Sequence, residues 1–144
     1  MSLDETLGYC GLYCAGCGTF QATAAGTGLE YEPGKFTTCR GCASTELSLW
    51  CAGCAIKDCA REKGVRYCLQ CGDFPCDKIQ GFMEDPRYPY HQDVPAMMGR
   101  LTEVGLETWS AEQDARWNCP SCGARYHWFS ESCPGCGGPV ATRL

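Results

Sequence analysis

Residues 51–76 read CAGCAIKDCAREKGVRYCLQCGDFPC. The cysteines in this stretch repeat: Cys51-x-x-Cys54-x4-Cys59 recurs as Cys68-x-x-Cys71-x4-Cys76, displaced by 17 residues at all three positions. Two thiols three residues apart sit on one tight turn and reach a single metal ion, and two such turns complete a tetrahedral tetrathiolate site. A displacement this short is below the roughly 20–50 residues of a solenoid repeat, so it reads as a recurring coordination geometry. The fold predicted from it is held by metal rather than by a large apolar core.

The same spacing recurs on both sides. Cys14/Cys17, Cys39/Cys42, Cys119/Cys122 and Cys133/Cys136 join Cys51/Cys54 and Cys68/Cys71, and only Cys10, Cys59 and Cys76 of the fifteen cysteines fall outside such pairs. Cysteine above 10% signals either a disulfide scaffold or a metal scaffold. The opening residues, Met1 to Gly8, carry no basic stretch and no apolar run, so no signal peptide is expected. A reducing cytoplasm then favours metal over disulfides, and an odd cysteine count argues against complete pairing. No segment is apolar enough to suggest a membrane span.

The formal charge is -5. Residues 1–114 hold nine Lys and Arg against sixteen Asp and Glu, whereas 115–144 hold three Arg against Glu131. Each zinc tetrathiolate adds about -2 to that count. The holo-protein is therefore expected to be acidic, which disfavours duplex nucleic acid as the main partner because phosphate contacts need a basic face. With Gly 18 and Pro 8 the chain is rich in turns, and a thin core needs cross-links that metal sites supply.

These features predict a small metal-stabilised α+β protein. Residues 8–90 form an irregular, α-rich, cysteine-rich N-terminal domain, 91–116 a helical connector, and 117–144 a C-terminal β zinc ribbon. Helices are expected from Thr19 to Ala25, stopped by Gly26, and from Ile56 to Lys63, stopped by Gly64. A third runs from Pro75 to Glu84 with Asp73 as cap and Ile79, Phe82 and Met83 as its apolar stripe. Residues 86–92 read as a linker. Asp93 is placed to cap a helix from Val94 to Val104, closed at Gly105, and a second follows from Glu107 to Arg116, with Ser110 and Gln113 spaced as a capping box within it or at its start. In the ribbon, Cys119-Pro120-Ser121-Cys122-Gly123 and Cys133-Pro134-Gly135-Cys136-Gly137 are matched knuckles around one hairpin. The glycine after each pair allows the positive φ that aims backbone N–H groups at sulfur.

Simple pairing gives three sites: Cys14/Cys17 with Cys39/Cys42, Cys51/Cys54 with Cys68/Cys71, and Cys119/Cys122 with Cys133/Cys136. A competing grouping uses the repeat, with Cys54/Cys59 and Cys71/Cys76 as ligand pairs. Cys10, Cys59 and Cys76, with His91, form a candidate further site, against a reading of His91 as a linker residue and of the three thiols as small buried hydrophobes. Zinc, about three or four ions, is the default for tetrathiolate sites, with an iron–sulfur cluster in the N-terminal domain as the alternative. Cys10-x3-Cys14-x2-Cys17 has the spacing of radical S-adenosylmethionine enzymes, but Gly16 stands where those place an aromatic and the chain lacks length for their barrel. His127 reads as an exposed ribbon residue. Trp109, Trp117, Trp128 and Phe129 read as core packing between helix and ribbon. No Ser/His/Asp set, phosphate loop or paired carboxylates point to catalysis.

The run Cys10-Gly11-Leu12-Tyr13-Cys14-x-x-Cys17, then Cys39-x-Gly41-Cys42, Cys59-Ala60-x-x-Lys63-Gly64 and Cys68-x-x-Cys71-x-x-Phe74-Pro75-Cys76, resembles a cysteine-rich domain-of-unknown-function family of bacteria and archaea. Gly105-Leu106-Glu107-x-Trp109 through Arg116-Trp117-x-Cys119-Pro120 resembles that family's longer members, which append a ribbon. The resemblance implies a prokaryotic cytosolic metal-binding protein, ligand roles for Cys10, Cys59 and Cys76, and Cys51 as the spare. It brings no activity, substrate or catalytic residue. The function expected is a zinc-binding protein with structural four-cysteine sites, serving as a binding or adaptor module for an unknown protein partner. The alternatives are an iron–sulfur electron carrier or redox sensor and, more weakly, nucleic-acid binding through Arg116, Arg125 and Arg143.

Overall fold

The computed structural model describes residues 3–128 and 130–140; Phe129 and Arg143 lie outside them. Among the described residues there are five α-helices, several 3-10 turns and one two-stranded sheet. In chain order these are α1 (Gly18–Ala24), β1 (Leu29–Glu32), β2 (Lys35–Thr37), α2 (Ala55–Lys63), α3 (Asp77–Glu84), α4 (Val94–Val104) and α5 (Leu106–Arg116). Among these residues no helix is long and apolar enough to cross a membrane.

The helices lie where glycine stops and apolar stripes predicted them. α2 ends on Gly64 in the left-handed region, with Arg61 and Lys63 in the last turn, where the helix dipole favours cations. α4 buries Val94, Met97, Met98 and Leu101 on one face. The antiparallel β1–β2 hairpin pairs Leu29 with Thr37 and has no counterpart among the expected elements, although Pro33-Gly34 between alternating residues is a turn signal.

Three expected caps are absent. Asp73 pairs with Lys63 at 2.6 Å, and α3 instead starts after Cys76. Asp93 makes no capping bond; its carboxylate meets the Arg116 guanidinium at 2.8 Å, both side chains nearly buried. Ser110 and Gln113 are buried within an α5 that already begins at Leu106, so they form no capping box. The segment read as a linker is also ordered: Pro89–Asp93 is a 3-10 turn that buries His91.

One hydrophobic cluster joins α1, α4 and α5 to the segments before α1 and after α5. It joins Leu7, Leu12 and Tyr13 to Met98 and Leu101 of α4, Trp109 of α5, and Trp117, Tyr126 and Cys133 beyond it. Trp109 is wholly buried and donates its indole N–H to the Met97 carbonyl at 3.0 Å. The Tyr13 ring meets Trp109 edge-on, centroids 5.8 Å apart, a favourable aromatic geometry. Trp109 and Trp117 therefore pack the core, as their sequence context predicts.

The segment 117–140 departs from the expected β ribbon. It holds two cysteine turns, each closed by an isolated antiparallel bridge, Asn118 with Arg125 and Ser132 with Pro139, and no hairpin strands among the described residues. Its backbone also reaches the rest of the chain. Trp128 N–H donates to the Gly16 carbonyl at 3.0 Å, and the Tyr126 carbonyl accepts from the Gln21 side chain at 3.1 Å. Tyr126 N–H still pairs with the Trp117 carbonyl at 3.0 Å within the segment, and the longer bonds fasten it to the N-terminal part of the chain.

Candidate metal centre

Cys119, Cys122, Cys133 and Cys136 offer four sulfurs that all lie within 4.8 Å of one another. Cys119 and Cys136 approach to 3.7 Å, and Cys122 and Cys133 to 3.5 Å. Each Cys-x-x-Cys pair is set by the same turn. Gly123 N–H donates to the Cys119 carbonyl at 2.8 Å and Gly137 N–H to the Cys133 carbonyl at 2.9 Å, with both glycines at positive φ, 76° and 71°. Gly135 N–H also points at the Cys133 sulfur, 3.4 Å away.

Those backbone donors act on the thiols. The N–H groups of Cys122 and Ser121 pull the Cys119 pKa down to about 6. The N–H groups of Cys136 and Gly135 lower Cys133 in the same way. Cys122 accepts from Ala124, yet its hydrogen bond with Cys133 pushes it up to about 11. The donor set is four soft sulfurs close enough to share one ion, which suits zinc or a single iron.

A second group forms in the N-terminal part. Cys14 and Cys42 lie 3.8 Å apart. Cys51 is hydrogen-bonded to both Cys39 and Cys42, so the four thiols are linked as Cys14–Cys42–Cys51–Cys39. Gly41 N–H reaches the Cys39 sulfur at 3.4 Å, matching Gly135 and Cys133. The Cys51 contact pushes the Cys39 thiol up, and the Cys14 contact does the same to Cys42. Cys51, implied to be a spare, stands inside this group, and Cys17 holds its hydrogen bonds with the start of α1.

The third group surrounds a cavity of about 20 Å³ lined by Cys59, Cys68, Cys71 and Cys76. Cys54, expected to pair with Cys51, does not line it. Cys10 is strongly raised by burial, with Cys42, Cys54 and Cys68 as electrostatic neighbours, so it lies between the second and third groups. None of the fifteen cysteines is in a disulfide.

Neither histidine joins a cysteine group. His91 stacks on Phe82 at 3.6 Å between centroids, and its Nδ1 is 3.0 Å from the Phe82 carbonyl oxygen. His127, expected to be exposed, is half-buried against Gly18, where a Cβ would meet its ring at 3.2 Å. Two of the three arginines considered for nucleic acid are engaged internally. Arg116 pairs with Asp93, and Arg125 pairs with Asp114 at 2.8 Å while donating to the Ala15 carbonyl.

A family model matches residues 6–81, just over half of the 144 residues, and the chain belongs to that family, whose description is "Protein of unknown function (DUF3795)". The match takes in Cys10 to Cys76 and ends before α4, α5 and the last four cysteines. No curated protein and no solved structure matches the chain.

Proposed function

We propose that this DUF3795 protein is a structural zinc protein that works as a binding module. Zinc sits at Cys119, Cys122, Cys133 and Cys136 and at Cys14, Cys39, Cys42 and Cys51. The observation that carries the reading is the convergence of the 119–136 sulfurs, with closest approaches of 3.5 and 3.7 Å, under two matched turns. Metal–sulfur bonds of about 2.3 Å in a tetrahedron separate sulfurs by roughly 3.8 Å, so this cage is sized for one ion. An iron–sulfur cluster interposes inorganic sulfide and spreads its cysteines further, which disfavours the electron-carrier reading at this site.

The binding role is supported by what remains outside. Phe36, Leu49 and Trp50 are about half exposed, and Tyr31 is nearly so. Leu49 N–H donates to the Thr37 hydroxyl at 3.2 Å, which ties the Leu49–Trp50 loop to the end of the hairpin that carries Phe36. Large apolar side chains held on an ordered loop and hairpin suit a protein partner. Cysteines in this number with none in a disulfide favour a reducing compartment, in keeping with a cytoplasmic protein.

The test is elemental analysis of protein purified without oxygen, with an absorption spectrum beside it. Zinc and no visible absorption are expected. Iron with acid-labile sulfide would replace this reading with electron transfer or redox sensing. For the binding role, Trp50→Asp is expected to leave metal content unchanged and to abolish co-purification of the partner from the source cells. Partner capture that survives this change would move the contact surface elsewhere.

A further inference from the structure

We propose that Cys59, Cys68, Cys71 and Cys76 form a separate tetrathiolate site for one zinc ion. The identity of the metal rests on the structural-zinc reading above, but the ligand set rests on its own geometry.

Three elements bring these thiols together. Cys59 lies within α2, and Cys68 and Cys71 bracket a 3-10 turn closed by a 2.9 Å bond from Cys71 N–H to the Cys68 carbonyl. Cys76 is the residue at the N-cap of α3. Cys68 has Cys76, Cys59 and Cys71 as its leading electrostatic neighbours, ahead of Cys54. The buried Ala60 and Ile79, one from each flanking helix, close the cavity between the thiols.

The cavity selects the kind of occupant. At about 20 Å³ it has room for one water-sized body. A single ion fits that space. Among the described residues only the 119–136 sulfurs all lie within 4.8 Å of one another, so these four close inward on the ion to reach bonds of about 2.3 Å.

The surroundings are built for a charged tetrathiolate. The backbone N–H groups of Ile79 and Lys78, at the first turn of α3, point at the Cys76 sulfur. The Lys63 ammonium lies 3.5 Å from the Cys71 sulfur and is held there by Asp73 at 2.6 Å. Four thiolates around one divalent cation leave a net charge of about -2, which the helix N-terminus and Lys63 partly offset. The grouping departs from the sequence pairing of Cys51/Cys54 with Cys68/Cys71. Cys51 is engaged by Cys39 and Cys42, and Cys54 lies off the cavity lining.

The test maps thiol protection in the wild-type, zinc-loaded chain. Brief treatment with N-ethylmaleimide and mass spectrometry of the fragments should show Cys59, Cys68, Cys71 and Cys76 blocked together and Cys54 modified. A strong chelator should then release all four in one step. Beside it, Cys59→Ser with Cys76→Ser should lower zinc by about one ion per chain, while Cys54→Ser should not. Protection of Cys54 with Cys68 and Cys71, and modification of Cys59 and Cys76, would overturn this ligand set and leave the zinc reading standing. Iron in place of zinc in the wild-type chain would overturn the zinc reading itself, and protection of the four thiols would then still report their grouping.

Discussion

At the scale of single residues, Gly16 is the tightest contact between the two ends of the chain. A Cβ there would lie 2.7 Å from the indole nitrogens of both Trp117 and Trp128. Neither ring has room to yield cheaply, because Trp117 is buried and the Trp128 ring is stacked on Tyr90, centroids 5.2 Å apart. Gly16→Ala should therefore cost about 1–3 kcal/mol, the range of an overpacked core, and should shift tryptophan fluorescence. A melting temperature equal to wild type would show that the segments slide apart freely. The Asp93–Arg116 pair makes a second residue-scale case. Removing one partner of a buried pair strands the other charge, so Asp93→Ala should cost about 3–5 kcal/mol by chemical denaturation. Asp93→Leu with Arg116→Met should recover most of that loss, since it removes both charges and keeps the volume.

At the scale of elements, the 3-10 turn Pro89–Asp93 hides a titratable group. Burial lowers the His91 pKa below its ordinary value, opposed by the bond to the Phe82 carbonyl and by Asp85. His127 is lowered by burial as well. The unfolded chain therefore binds protons that the folded chain refuses, and stability falls as pH drops below about 6.5 toward the folded-state values. Above that window the two histidines contribute no pH dependence. His91→Phe should flatten the stability profile between about pH 7.5 and pH 5.5 relative to wild type, measured by denaturant titration. A variant with the same slope would locate the pH sensitivity in the thiols instead.

The elements also show what was legible in the sequence. The glycine stops of α1 and α2 and the apolar face of α4 could be read directly, because each is decided by residues within one or two turns. The matched turns at 119–123 and 133–137 could be read for the same reason. The caps expected from Asp73 and Asp93 could not, since Lys63 and Arg116 claim those carboxylates through space. The fastening of the 117–140 segment could not, because Tyr126 and Trp128 also bond to Gln21 and Gly16, more than 100 residues away. The two N-terminal cysteine groupings fall in the same class. Spacing says which thiols share a turn, and only the packing of α2 against α3 says which turns share a cavity.

At the scale of the whole molecule, the thiols are part of the core. Cys14, Cys119 and Cys133 belong to the same apolar cluster as Trp109, Met98 and Tyr126, and Cys133 is 2% exposed. The centre at 119–136 and the turn Cys14–Gly16 are also joined through Trp128 and Arg125. Apparent binding free energies of structural zinc reach about 10–16 kcal/mol, as large as the entire net stability of about 5–15 kcal/mol of an ordinary domain. Losing one centre is therefore enough to unfold whatever is coupled to it. Cys133→Ser should abolish the near-ultraviolet dichroism of Trp109 and Trp117 together and bring Cys14 within reach of alkylation, in one transition with a much lower midpoint. If the 119–136 segment instead held its own separate core, calorimetry would show two transitions, with the N-terminal thiols still protected in the variant. The packing of Trp128 onto Gly16 and of Tyr126 into the common cluster argues for the single transition, because neither contact survives if the segment that carries it unfolds.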